Sequence, residues 1–448
     1  MGSRWRECAY GKMPPEWSLV RLKDLCVQPG GVQTGPFGSQ LHQKDYQDFG
    51  TPIITVEHLG DNRILHRDLP RVSDRDLRRL DRYTLRTGDI VFSRVGSVDR
   101  QALVRDSENG WLFSGRCLRI RPDTTRVDPV YLSWFFGMPA FKEYIRRIAV
   151  GATMPSLNTE LLSSVQVIVP PLREQRAIAA ILGALDDKIE LNRLMNKTLE
   201  AIVQAIFKSW FVDFDPVRAK AEGRQPEGLT SDIADLFPDG FQDSELGTVP
   251  QGWNMGTLGR VAHSERRAVD PSEVDPDTPY IGLEHMPRRC IALCEWGRVT
   301  DVTSMKLRFL RGEILFGKLR PYFHKVGIAP MDGVCSSDII IIVSDPQWWG
   351  FVLGHVNSDS FINYTDAVSI GTKMPRVSWD DMARYDVVLP PAVVAQRFAD
   401  IVSPMVERLR SNIIQSRTLA LIRDALLPKL LSGEIRVKDG EKLAEVTV

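Results

Sequence analysis

The chain has 448 residues, too many for one ordinary core, so two domains with connectors are expected. Hydrophobic residues make up 43% and charged residues 25%, the balance of a folded protein, and no apolar run reaches the roughly 20 residues of a membrane span. Lys and Arg number 57 and so do Asp and Glu; zero net charge argues against a protein that coats nucleic acid non-specifically, while leaving room for local basic surfaces. The N-terminus lacks an apolar stretch and reads as no secretory signal. Six unevenly placed cysteines make no disulfide framework and point to a reducing, cytoplasmic setting. Cys290 and Cys294, with His285 nearby, lack the spacing of a zinc site.

The first unit begins around Met13-Pro14-Pro15-Glu16-Trp17. Glycines and prolines in VQPGGVQTGPFGSQL (Val27 to Leu41) predict an exposed loop. Thr51 to Val56 is β-rich and closes on Glu57-His58-Leu59; Leu85 to Arg94 reads as a turn into a buried strand, and another β-rich stretch lies around Trp111 to Ile120. One helix is expected from Pro129 to Ile148, then a loop over Gly151 to Asn158 and a strand over Ser164 to Val169. This is α+β with more sheet than helix.

From Pro170 to Phe211 the pattern becomes a single amphipathic helix, with Ile178, Ile181, Leu182, Leu185, Ile189, Leu199, Ile202, Val203, Ile206 and Trp210 on one stripe. Pro170-Pro171 sets its start. Gly, Pro and acidic residues over 212–250 then predict a linker or loosely packed extension. After it the first unit restarts: TPYIGLEHM (Thr278 to Met286) echoes TPIITVEHL (Thr51 to Leu59), and IGTKMP (Ile370 to Pro375) echoes VGATMP (Val150 to Pro155). A second amphipathic helix opens at Pro390-Pro391, and Gln175-Arg176, Asn192 and Thr198-Leu199 align with Gln396-Arg397, Asn412 and Thr418-Leu419. The chain is an internal repeat.

The expected domains are 1–170, a long helix over 171–211, the linker 212–250, a second domain over 251–389, a second long helix over 390–432 and a tail over 433–448. A helix of about 40 residues extends about 60 Å, further than a small domain's core covers. Its stripe needs a partner, and the other copy is the obvious one, paired as a coiled coil. If the two run antiparallel, the domains are related by a pseudo-twofold axis. Asn192 and Asn412 either set the register or are ordinary exposed polar residues. Gly183 and Pro404 should loosen or kink their helices.

No phosphate loop, dinucleotide fingerprint, GxSxG elbow or HExxH stands in the sequence, and the seven histidines are scattered. The repeated Glu57-His58 and Glu284-His285 would point to opposite faces of a strand, so they would not act together. An intrinsic enzyme of standard type is not expected. Candidate contacts lie in loops: Gln33, Thr34, Ser39 and Gln40, then Ser93, Arg94, Ser97 and Arg100 behind the Gly88 turn, and Thr153. The second copy supplies Lys318, Arg320, Tyr322, His324 and Lys325, and then Lys373 and Arg376. Amide, hydroxyl and basic groups on glycine-relaxed loops suit phosphate or base-edge contacts, though any single one also fits a solvated loop. The set recurs at equivalent places with changed identities.

GPFGSQL (Gly35 to Leu41), TGDIVFSRVGS (Thr87 to Ser97), GATMPSLN running on to PPLREQRAIAAIL (Gly151 to Leu182), SWFVDF (Ser209 to Phe214) and LLPKLLSGEIRV (Leu426 to Val437) resemble the specificity subunits of type I restriction–modification systems. The likeness covers nearly the whole chain, although AHSERRAVDPSEVDP in the second copy lacks the GPFGS match. It implies two α+β target-recognition domains, each reading half of a split, asymmetric double-stranded DNA site, joined by an antiparallel helix pair that sets the spacer. It also implies two methyltransferase subunits as partners, carrying S-adenosylmethionine, and restriction subunits using ATP and Mg. No cofactor and no catalysis would belong to this chain. A DNA methyltransferase with unrecognised motifs, or a protein-binding scaffold, are the other readings.

Overall fold

A computed structural model describes residues 5–437 apart from 152, and leaves out the side chains of Ser39 and Gln43. Most of the expected tail, 433–448, therefore lies outside the described residues. These divide into two compact units, with boundaries between Lys188 and Ile189 and between Thr418 and Leu419.

In the first unit a four-stranded antiparallel sheet runs in the order Val32–Thr34, Cys117–Ile120, Ile90–Ser93, Gln101–Leu103. A second sheet pairs Thr51–Ile54 in parallel with Leu112–Phe113, Ile53 opposite Leu112. Ile90–Ser93 is buried throughout because both its faces are covered. Val91 enters a core with Ile53, Leu85 and Phe113, while Phe92 meets Phe136 and Phe141. The single helix expected from Pro129 to Ile148 is two, Pro129–Gly137 and Pro139–Ile148. Pro139 explains the break: it forces Met138 into an extended conformation with ψ 132°. The Glu57-His58 pair lies not in a strand but in a one-turn helix, Val56–His58, where buried His58 Nδ1 accepts from the Thr55 N–H at 3.0 Å. His285 does the same for Gly282 at 3.0 Å.

The second unit repeats this topology. Its four-stranded sheet is ordered Ala262–Glu265, Ile339–Ser344, Ile314–Gly317, Val326–Ile328, and Pro279–Ile281 pairs in parallel with Gly333–Cys335. The stretch over 212–250 is no loose linker. It forms the helix Asp215–Ala221 and the hairpin Phe241–Ser244 with Gly247–Pro250, and buries Phe214, Val217 and Phe237 in the same core as Trp253. Its aromatic residues Phe214 and Phe237 pack against Trp253 at ring separations of 5.7 and 6.4 Å and hold these short elements down.

The long helices are Leu172–Phe211 and Ala392–Ser432. They pair antiparallel in each unit: in the first Asp186 meets Arg423, and Glu174 meets Arg436 just past the end of the second helix; in the second Asn192 meets Gln415 while Phe207 meets Phe398. Val203, Phe207, Trp210, Val402, Val406 and Leu409 join the core of the second unit. Ile202 departs from the expected stripe and is exposed. The second helix runs on through Pro404, which sits on the solvent side, where water can serve the carbonyl that loses its helical donor. Asn192 and Asn412 are buried. Asn412 Nδ2 donates to Asn196 Oδ1 at 2.9 Å and Asn192 Nδ2 to Gln415 Oε1 at 2.9 Å, forming a polar layer between the helices.

Candidate nucleic-acid interface

Three loops of the first unit meet at Arg94. Its N–H donates to the Arg116 carbonyl and its carbonyl accepts from Leu157, both at 2.8 Å; two residues on, Gly96 N–H donates to the Pro155 carbonyl at 2.8 Å. The guanidinium donates to the Gly115 carbonyl at 3.2 Å and lies 5.8 Å from the centre of the Phe37 ring. Gly35 must be glycine, because a Cβ there would collide with the Ser114 carbonyl. The hairpin closed by the Val150–Ser156 bridge turns at Gly151, whose φ is +108°.

The second unit builds the same platform from different residues. Lys318 N–H donates to Asp338 at 3.0 Å, its carbonyl accepts from Val377 at 3.2 Å, and Arg320 N–H donates to Pro375 at 2.8 Å. Lys318 thus stands where Arg94 does, and Arg320 where Gly96 does. Ile370 and Arg376 close the equivalent hairpin, with Gly371 at φ +114°. Lys318, Arg376, Arg266, Glu265, Ser337 and Trp379 line a cleft of about 490 Å³. Arg376 is steered by Asp338 at 3.4 Å.

Of the residues expected at the interface, Ser97, Arg100, Thr153, Tyr322, Lys373 and Arg376 are exposed, and Arg94 and Lys318 half-buried beside them. Gln33 and Thr34 lie on a strand opposite Arg119 and Leu118. Gln40 is engaged internally, its Oε1 accepting from Tyr83 Oη and its carbonyl from Arg79, both at 2.6 Å. The expectation fails for Ser93, which is buried in its strand with its hydroxyl given to the Val95 carbonyl at 3.2 Å. His324 is also buried, 3.2 Å from the Asn357 carbonyl, because a left-handed turn at φ +51° carries it inward. Lys325 points back and donates to the Leu283 carbonyl at 2.6 Å; burial first, and then Arg288, lowers its pKa. Arg320 is half structural, its Nη2 donating to the Lys373 carbonyl at 3.4 Å. The Ser39 side chain lies outside the described residues.

Not among the expected residues are Phe37, Met154 and Met374, which are 59%, 64% and 50% exposed, and Arg266. The signal was a large apolar side chain inside a glycine-bounded loop, where no core requires it. Among the described residues no group of three or more His, Cys, Asp or Glu is placed to hold a metal ion. Among them, too, no helix is long and apolar enough to cross a membrane. All six cysteines are free.

Comparison with known proteins agrees with this architecture. The family described as the type I restriction modification DNA specificity domain matches residues 14–201. The chain is 24% identical to the type I restriction enzyme MjaIX specificity subunit of Methanocaldococcus jannaschii, over 98% of each chain. It is 27% identical to the HindI specificity subunit of Haemophilus influenzae, over 86% of this chain and 95% of the relative. The crystal structure of an S subunit from M. genitalium superposes with a TM-score of 0.57 at 14% identity, covering 92% of this chain and 96% of the other, a likeness of fold.

Proposed function

Because the chain belongs to the specificity subunits of type I restriction–modification systems, we propose that it reads a split, asymmetric site on double-stranded DNA, one half with each globular domain. The domains taken from the sequence are 1–170 and 251–389. The observation that carries this reading is the platform built twice, with the same backbone bonds at Arg94 and Lys318 and different side chains around them. A scaffold kept constant while its exposed groups change is what two unlike half-sites require. Arginine and lysine on such loops reach guanine edges and phosphates; hydroxyls and amides reach either.

The two long helices set the spacer between half-sites and dock two methyltransferase subunits, which supply S-adenosylmethionine and transfer its methyl group to adenine N6. Restriction subunits, using ATP and Mg, complete the assembly. This chain binds none of these cofactors and performs no chemistry; it determines where the partners act. The test is retention of a random DNA library by the chain assembled with its methyltransferase subunits. Enrichment of a bipartite motif with a fixed spacer supports the reading. Retention without sequence preference contradicts it and leaves a protein-binding scaffold.

A further inference from the structure

Each unit displays an exposed aromatic side chain on its three-loop platform: the first is backed by a guanidinium, the second by a phenyl ring that two guanidinium groups flank. In the first unit Phe37 is 59% exposed, with Arg94 over its ring at 5.8 Å. In the second, Tyr322 is 48% exposed and packs edge-on against Phe323 at 4.7 Å, while Arg288 and Arg320 lie 4.0 and 5.9 Å from the Phe323 ring. A lone exposed aromatic residue calls for no explanation. Two of them do, since they come from non-equivalent loops. Phe37 follows the Val32–Thr34 strand, whereas Tyr322 lies between Ile314–Gly317 and Val326–Ile328. Both nonetheless reach the platform marked by Arg94 and Arg320.

Resting on the DNA-reading function above, we propose that Phe37 and Tyr322 are stacking wedges, each seated against a base at an unstacked step of its half-site. An aromatic face bordered by arginine suits a nucleic acid: the ring stacks on any base, and the cation serves the neighbouring phosphate. A closed duplex offers no free base face, so seating the ring requires the step to open, at a cost that depends on the step's sequence. Part of the specificity would then come from how easily the DNA deforms. A protein partner would be served as well by the aromatic ring but has less use for the guanidinium groups.

The experiment uses the chain assembled with its methyltransferase subunits and duplexes carrying 2-aminopurine at one position at a time through both half-sites. We expect enhanced fluorescence at one step per half-site, apart from the methylated adenine. F37A should abolish it in one half and Y322A in the other, each weakening binding about tenfold, within the range for a stacked base. F37W should restore the first. Both residues are exposed, so unchanged melting temperatures should accompany the loss. No enhancement on duplexes that are still selected by sequence would overturn the wedges and leave the DNA reading standing. Loss of methyltransferase subunits from the F37A or Y322A assembly would assign the rings to a protein contact instead. Absence of any sequence selection would overturn both.

Discussion

Arg423 on the second long helix donates to Asp186 on the first at 3.1 Å, and the same carboxylate accepts from Arg63 at 2.7 Å and Arg105 at 3.4 Å. Asp186 is only 6% exposed, so one carboxylate fastens two helices and two loops of the first unit. D186N keeps the shape but leaves three partly buried guanidinium groups without their shared charge. Breaking such a pair from one side costs about 3 kcal/mol. A thermal melt should show a fall of several degrees; an unchanged melt would mean that Asp187, which also meets Arg63 and Arg105, carries the load alone.

The Asn192, Asn196 and Asn412 layer in the second unit buries amides where leucine would pack better. N192L combined with N412L should raise the melting temperature while relaxing helix register, the trade a buried asparagine makes in paired helices. Methylation by the variant assembly should then show more than one spacer length. A single unchanged spacer would mean that register is held elsewhere.

His355 is buried among Phe207 and Phe351, at ring separations of 4.9 and 4.4 Å, and burial pushes its pKa down to about 3. The folded state therefore holds it neutral, while the unfolded chain protonates near 6.5. Its contribution is fully present above that value and is lost as pH falls from about 6.5 towards 3, at up to about 1.4 kcal/mol per pH unit. H355F should flatten this slope in urea titrations run from pH 7 to pH 5. An unaltered slope would place the acid sensitivity in other groups.

Arg94 and Arg100 stand on one platform, Lys318 and Arg376 on the other. R94A or R100A should alter preference in one half-site and K318A or R376A in the other, each base contact being worth about 1–3 kcal/mol. Selection from a randomised library measures this. Weakening that is uniform across sequences would reassign the cations to phosphates.

The long helices were legible because their apolar period and proline starts are local, and the repeat because whole blocks recur in order. Burial over 212–250 was not, since composition reports turn chemistry but not whether Phe214, Val217 and Phe237 find a core. The break at Pro139 was overlooked because apolar spacing continues across it. At the interface, basic loop residues were found by their type, but Ser93 and His324 turn inward for reasons set by strand burial and a left-handed turn, neither of which a residue list displays. Phe37 was not legible because residue type alone does not show whether an apolar side chain in a loop reaches a core or, as here, solvent.

The most direct test is a map of N6-methyladenine across the host genome with and without this gene. One split motif with a fixed spacer should disappear on deletion and return with the gene, changed in a single half when Arg94 or Lys318 is replaced. Survival of every methylated motif after deletion, in a host whose methyltransferase subunits are expressed, would contradict it.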